Sequence, residues 1–115
     1  MTQYLAQSPE SLKNLFADLD AALNAFGDDG QQTATKLYFA YKRLKNFACV
    51  EVHPRDHTLL VFAKLNPESI DLEDGFTRDV RSIGHFGTGD LEIRIRNRSD
   101  LDRASDLLLR SYQVS

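Results

Sequence analysis

The stretch DLEIRIR, Asp90 to Arg96, alternates without a break: Leu91, Ile93 and Ile95 stand between Asp90, Glu92, Arg94 and Arg96. A period of two places the aliphatic side chains on one face and the charged ones on the other, which predicts a strand packed on one side and wet on the other. The same period recurs upstream. Leu37, Phe39 and Tyr41 alternate with Lys36, Tyr38, Ala40 and Lys42. From Phe47 to His53, Ala48, Val50 and Val52 share one face, and Cys49 shares the other with Phe47 and Glu51. TLLVFAK, residues 58–64, is apolar enough to lie centrally in a sheet. The intervening stretches 43–46 and 54–57 read as turns, Pro54 being pre-set for the first central position of the second. Connections this short predict antiparallel neighbours in a meander.

Helical spacing flanks the strands. Ser8-Pro9-Glu10 reads as a helix start, with Ser8 as the cap and Pro9 at the first helical position. Leu12, Leu15, Phe16, Leu19, Leu23 and Phe26 then form one apolar stripe, which Gly27 ends, with Asp28-Asp29-Gly30 continuing as loop. Near the other end, Ser99 and Asp102 make a start resembling a capping box, and Leu101, Ala104, Leu108 and Tyr112 supply an inner stripe. LNPESIDLEDGF, residues 65–76, reads as an irregular acidic connection. Residues 76–83 read as a short helical turn with Phe76, Val80 and Ile83 inward. The expected fold is α+β, one domain over 1–115 with a core of about 8–113. It has a mainly antiparallel sheet of about four strands, a meander plus a later strand, in the order α-β-β-β-(short α)-β-α. The N-terminal and C-terminal helices cover one face.

Composition bounds the function. The 115 residues are 42% hydrophobic and 27% charged, which excludes a disordered or collagen-like chain. One cysteine, Cys49, excludes a disulfide framework and an all-cysteine zinc site. No apolar run approaches the ~20 residues of a membrane helix, and MTQYLAQSPE lacks the pattern of a signal peptide. The expectation is a cytoplasmic protein with no membrane partner and no cofactor. Charge is segregated: residues 31–64 carry six basic side chains against two acidic, whereas 65–75 hold four acids and no base. Lys36, Lys42, Arg43 and Lys45, with Tyr38 beside them, form a candidate patch for an anionic partner. The pI near 5.5 argues against strong non-specific binding of nucleic acid.

Three stretches carry a family resemblance: KLYFAYKRLKNFACVEVHP at 36–54, LLVFAKL at 59–65 and GFTRDVRSIGHFGTGDLEIRI at 75–95. Together they resemble the family called domain of unknown function 5655, over about residues 8–113. Arg78-Asp79-Val80 and the run Ile83-Gly84-His85-Phe86-Gly87-Thr88-Gly89-Asp90 are its most specific part, with Phe86 where the family is associated with tryptophan. The resemblance implies a fold but no assigned chemistry. It also implies that the domain stands alone or forms the C-terminal part of longer proteins, some with nuclease-like domains. Some members carry the label "predicted transport protein", which nothing bilayer-spanning in this sequence supports.

Candidate sites follow from residue types and spacing. His53 and His57 flank Pro54, so the pair cannot share a helical face as metal-binding HxxxH pairs do, and a solvated turn is expected there, with no metal. Cys49 has no adjacent base, His53 lying about 13 Å away along an ideal strand. Ser82, His85 and Asp90 lack the Gly-x-Ser-x-Gly elbow of a hydrolase. Gly84-His85-Phe86-Gly87 matches a KH-type loop in letters only, because a strand follows it. The remaining constellation is Arg78, Asp79, His85, Gly87, Gly89 and Asp90. Its glycines admit unusual dihedrals and expose backbone N–H groups, His85 exchanges protons near neutral pH, and Arg78 can pair with a carboxylate or phosphate. Convergence of Arg78, Asp79, His85 and Asp90 is expected at the end of the sheet, either binding a ligand or locking the loop. The resulting expectation is a non-catalytic binding or interaction module. Its partner would be a protein or a weakly held nucleic acid, and it would associate with nucleic-acid-processing proteins. The alternative is a small-ligand-binding protein or enzyme using the Arg78/Asp79/His85/Asp90 loop.

Overall fold

Residues 1–27, 31–43, 45–83 and 89–115 are described by the computed structural model. In chain order they form α1 (Thr2–Ala6), α2 (Glu10–Asn24), β1 (Gln31–Ala34), β2 (Phe39–Lys42), β3 (Asn46–His53) and β4 (Thr58–Ala63). A 3₁₀ turn (Pro67–Ser69), β5 (Thr77–Asp79), β6 (Leu91–Ile95) and α3 (Arg98–Gln113) follow. One antiparallel sheet runs β1-β2-β3-β4-β6-β5. The α+β class, the meander and the two helices packed on one face agree with the periodicities.

Both helical stripes reach one core. Leu12, Leu15, Phe16, Leu19 and Leu23 of α2 and Leu101, Ala104, Leu108 and Tyr112 of α3 join Val50, Leu59, Val61, Leu91, Ile93 and Ile95 in a single buried cluster. Phe16 lies 4.7 Å from Phe39, ring to ring, and Phe47 meets Tyr112 edge-on at 5.1 Å. The Tyr41 hydroxyl donates to Asp20 of α2 at 2.6 Å, and Gln32 donates to the same carboxylate, tying the helix to β1 and β2. Burial, and then that carboxylate, hold the Tyr41 phenol above its ordinary range.

The sheet has six strands where about four were expected. In β1, QQTA carries no alternating apolar residues and all four side chains are exposed, so only backbone pairing with β2 makes it a strand. The short helical turn expected over 76–83 is instead β5, which gives β6 a second partner in place of a bare edge. Phe76 and Val80 are buried as expected, but Ile83 is 45% exposed. Leu37 is 42% exposed because β2 starts only at Phe39. A bulge opposite Tyr41 and Lys42 makes Phe47 the extra residue of β3, so its ring joins the helix-covered core and does not share a face with Cys49.

Helix starts are shifted as well. Pro9 is the N-cap of α2, and the Ser8 hydroxyl donates back to the Tyr4 carbonyl. α3 begins at Arg98, one residue before Ser99, its true cap being Asn97, whose side chain accepts from the Asp100 N–H. The ladder between β3 and β4 ends at His53 and Thr58, leaving four residues for the turn. Pro54 therefore opens the turn, its carbonyl accepting from His57 N–H, and His57 takes a left-handed φ of 51°. The expected loop residues 28–30 and Leu44 lie outside the described residues.

Leu19 is fully buried between the helices and the sheet. Replacing it with alanine should cost about 2–5 kcal/mol in urea-unfolding free energy. A loss under about 0.5 kcal/mol would place the side chain at the surface.

Candidate functional site

No helix covers the second face of the sheet among the described residues. Side chains there form rows across the strands. One row runs Ala40, Cys49, Phe62, Glu92 and Arg78 from β2 to β5, and the next holds Glu51, Leu60 and Arg94. Ala40, Cys49, Phe62 and Val80 make a second small apolar cluster, flanked by Tyr38 and Leu60. The rest of the face is charged.

Two carboxylates on it are nearly sealed from water. The Glu51 side chain is 10% exposed and that of Glu92 is 6%. Each has one hydrogen-bonded basic partner: His53 Nε2 donates to Glu51 Oε1 at 2.9 Å, and Arg78 donates to Glu92 Oε2 at 2.8 Å. The Glu51 hydrogen bond raises the His53 pKa above its ordinary 6.5, partial burial opposes it, and the charges of Glu51, Asp56 and Glu92 add to the rise. Among the described residues the Arg94 guanidinium has no partner. Sequence reasoning placed Glu92 on a wet face and gave Glu51 no role. The available signal was a glutamate in the middle of each of two strands destined for the sheet interior.

Of the expected cluster, Arg78, Asp79, Gly89 and Asp90 are described. Arg78 and Asp79 are consecutive in β5 and point to opposite faces, so Arg78 meets Glu92 while Asp79 accepts from Arg81 at 2.8 Å. That contact holds the Asp79 carboxyl below its ordinary range. The Asp90 carbonyl accepts from Val80 N–H, and its side chain is exposed. His85 and Gly87 lie outside the described residues, so the structure describes no fourfold cluster. Gly89 has φ +125°, and a Cβ on it would lie 2.8 Å from the Phe62 carbonyl carbon. It therefore lets the chain pass directly over the backbone of β4.

The basic patch is also divided. Lys36, Lys42 and Lys45 are exposed, but Arg43 stacks over the Tyr112 ring at 4.7 Å and ties the β2–β3 turn to α3. Tyr38 is half-buried against the second cluster. Lys45 lines a depression of about 340 Å³ with Lys64, Gly89 and Asp90, where described members of the two expected sets meet. His57 Nε2 lies 3.2 Å from Ser11 Oγ, whereas His53 faces Glu51, so the two histidines serve different neighbours. No group of three or more His, Cys, Asp or Glu among the described residues is arranged to hold a metal ion. No helix among them is long and apolar enough to cross a membrane.

An antiparallel α+β domain with one helix-covered face and one partly charged face is thus the class of protein. The chain belongs to the family described as domain of unknown function (DUF5655), whose model matches residues 1–115. It is also similar to an uncharacterized protein of Haemophilus influenzae, 24% identical over 107 residues, which are 93% of this chain and 35% of that protein. The chain thus spans about a third of the length of this curated relative. No solved structure matches it.

Two outcomes test the geometry. Gly89→Ala should destabilise by more than the ~1 kcal/mol of a compatible site, because both its φ and the Phe62 backbone oppose a side chain. Unchanged denaturant midpoints would refute that packing. His53 should also leave a pH signature. Its folded pKa is raised, so its stabilisation is complete below pH ~6.5 and is lost as pH rises through the folded value. Urea midpoints should decline on that account as pH rises above about 6.5. Glu51→Gln should remove this component, and an unaltered slope in the variant would contradict the assignment.

Proposed function

We propose that the chain is a non-catalytic binding module that uses the helix-free face of its sheet. The observation that carries this reading is the pair Glu51 and Glu92, each about nine-tenths buried on a sheet face that needs only apolar side chains to pack. Sealing a carboxylate from water is costly, and its pairing with a cation repays that cost incompletely. Charges held at such an expense are candidates for recognition.

Three further features support the reading. Cys49 is fully buried, so the chain's one thiol is not presented to a substrate. His53 is engaged with Glu51 and has no hydroxyl or thiol to activate among its hydrogen-bond partners. The Haemophilus relative is nearly three times as long as the matched stretch, as expected where such a domain works beside other parts of a larger protein. Arg78 belongs to the proposed surface through Glu92. The exposed Lys36, Lys42 and Lys45 offer a cationic flank for an anionic partner, including any contact with nucleic acid.

If the carboxylates serve recognition, folding should not require them. Glu51→Met and Glu92→Met should each change stability by no more than about 1 kcal/mol, since the partners left behind, His53 and Arg78, are 39% and 56% exposed and can be taken up by water instead of being stranded as buried charges. A loss above about 2 kcal/mol in either variant, read by denaturant unfolding, would make that carboxylate structural and withdraw the support.

A further inference from the structure

Glu51 also lines an open cleft of about 750 Å³, together with Tyr4, Gln7, Leu37, His53 and Asp56. The lining sets two carboxylates, Glu51 and Asp56, against the Arg55 guanidinium, the His53 imidazole and Met1, whose terminal ammonium is taken up by the Thr35 and Lys36 carbonyls. His53 occupies only Glu51 Oε1; Oε2 has no hydrogen-bond donor among the described residues, although the side chain is only 10% exposed. A buried acceptor without a donor is an unfavourable arrangement that an incoming donor would relieve. Tyr4 is 50% exposed and Leu37 is 42% exposed, and both large apolar side chains stand on the same cleft. An exposed ring beside a buried carboxylate suits a cation carried on an apolar stem, because the ring face attracts the cation and the aliphatic wall takes the stem.

We infer that this cleft binds an alkylammonium or alkylguanidinium group, with Glu51 Oε2 accepting its hydrogen bond and Tyr4 and Leu37 flanking its stem. The inference rests on the binding-module reading and gives that surface a ligand class. Two strands across the same face, Arg78 and Arg94 lie exposed about Glu92 and would take an anion instead, so the two places select different chemistry. Metal binding is not favoured in the cleft, because Glu51 and Asp56 supply only two carboxylates and His53 has its Nε2 committed to Glu51.

The test is an NMR titration of the isotope-labelled chain with n-butylammonium and n-butylguanidinium, with n-butanol and butyrate as neutral and anionic controls. Saturable shifts of the Glu51, His53, Tyr4 and Leu37 signals are expected with the two cations and not with butanol. Glu51→Gln should weaken that binding at least about tenfold, as loss of a charge-assisted hydrogen bond would. Acetyl-Gly-Arg-Gly-amide binding more tightly than butylguanidinium would assign the cation to a partner protein's side chain, and the reverse order would assign it to a small amine. Equal binding by Glu51→Gln, or equal shifts with butanol, would overturn the inference. Shifts confined to Arg78 and Arg94 with butyrate would also overturn it while leaving the binding face intact. A face that no probe moves would count against both readings.

Discussion

The central strands β3 and β4 are buried on both sides, while the two long helices cover only one. That imbalance governs the rest of the molecule. The helix-covered face is solved by the stripes of α2 and α3 and by the aromatic contacts of Phe16, Phe39, Phe47 and Tyr112. Among the described residues the other face is closed with much less material. Val80, just past the end of β5, joins Cys49 and Phe62 in one cluster, and Gly89 brings the chain within touching distance of the β4 backbone. Side chains cannot be added at Gly89 without moving β4, which is why the approach depends on a glycine with φ +125°.

The same limited coverage leaves room for charge. Beyond the apolar cluster, the second face passes into Glu51, His53, Glu92, Arg78 and Arg94. The carboxylates lie beneath and their cationic partners lie outward: the side chains of Arg78 and His53 are 56% and 39% exposed. Such layering keeps each carboxylate next to a charge of opposite sign while one end of the face stays open as a cleft. On the proposed reading, the face is a compromise between closing a sheet and holding a polar surface available for recognition. The helix-covered face, by contrast, is almost wholly apolar.

Much of this was legible in the sequence where a periodicity could be counted. The stripe from Leu12 to Leu23 and the alternation of Leu91, Ile93 and Ile95 gave the helices, the central strands and the covered face. β1 and β5 had no such pattern: QQTA is uniformly exposed, and TRD is too short to show a period. Both become strands through partners far along the chain, which no local reading contains. The bulge at Phe47 inverted one residue for the same reason, since register belongs to the pair and not to either strand. Arg78 was legible as a residue that pairs with a carboxylate. Its partner Glu92 was not, because an alternating strand looks half-wet until something is known to lie across its second face.

The central claim is that this second face is a packed core at its Cys49 end. Cys49 is the only cysteine and is fully buried, so its reaction with a thiol reagent reports on that core without interference. The measurement is the labelling rate in native buffer and across a denaturant series. The account predicts labelling only through global unfolding, with an opening free energy equal to that of the whole domain. Labelling in native buffer at a rate near that of an exposed thiol would contradict it and would leave the sheet with a single core.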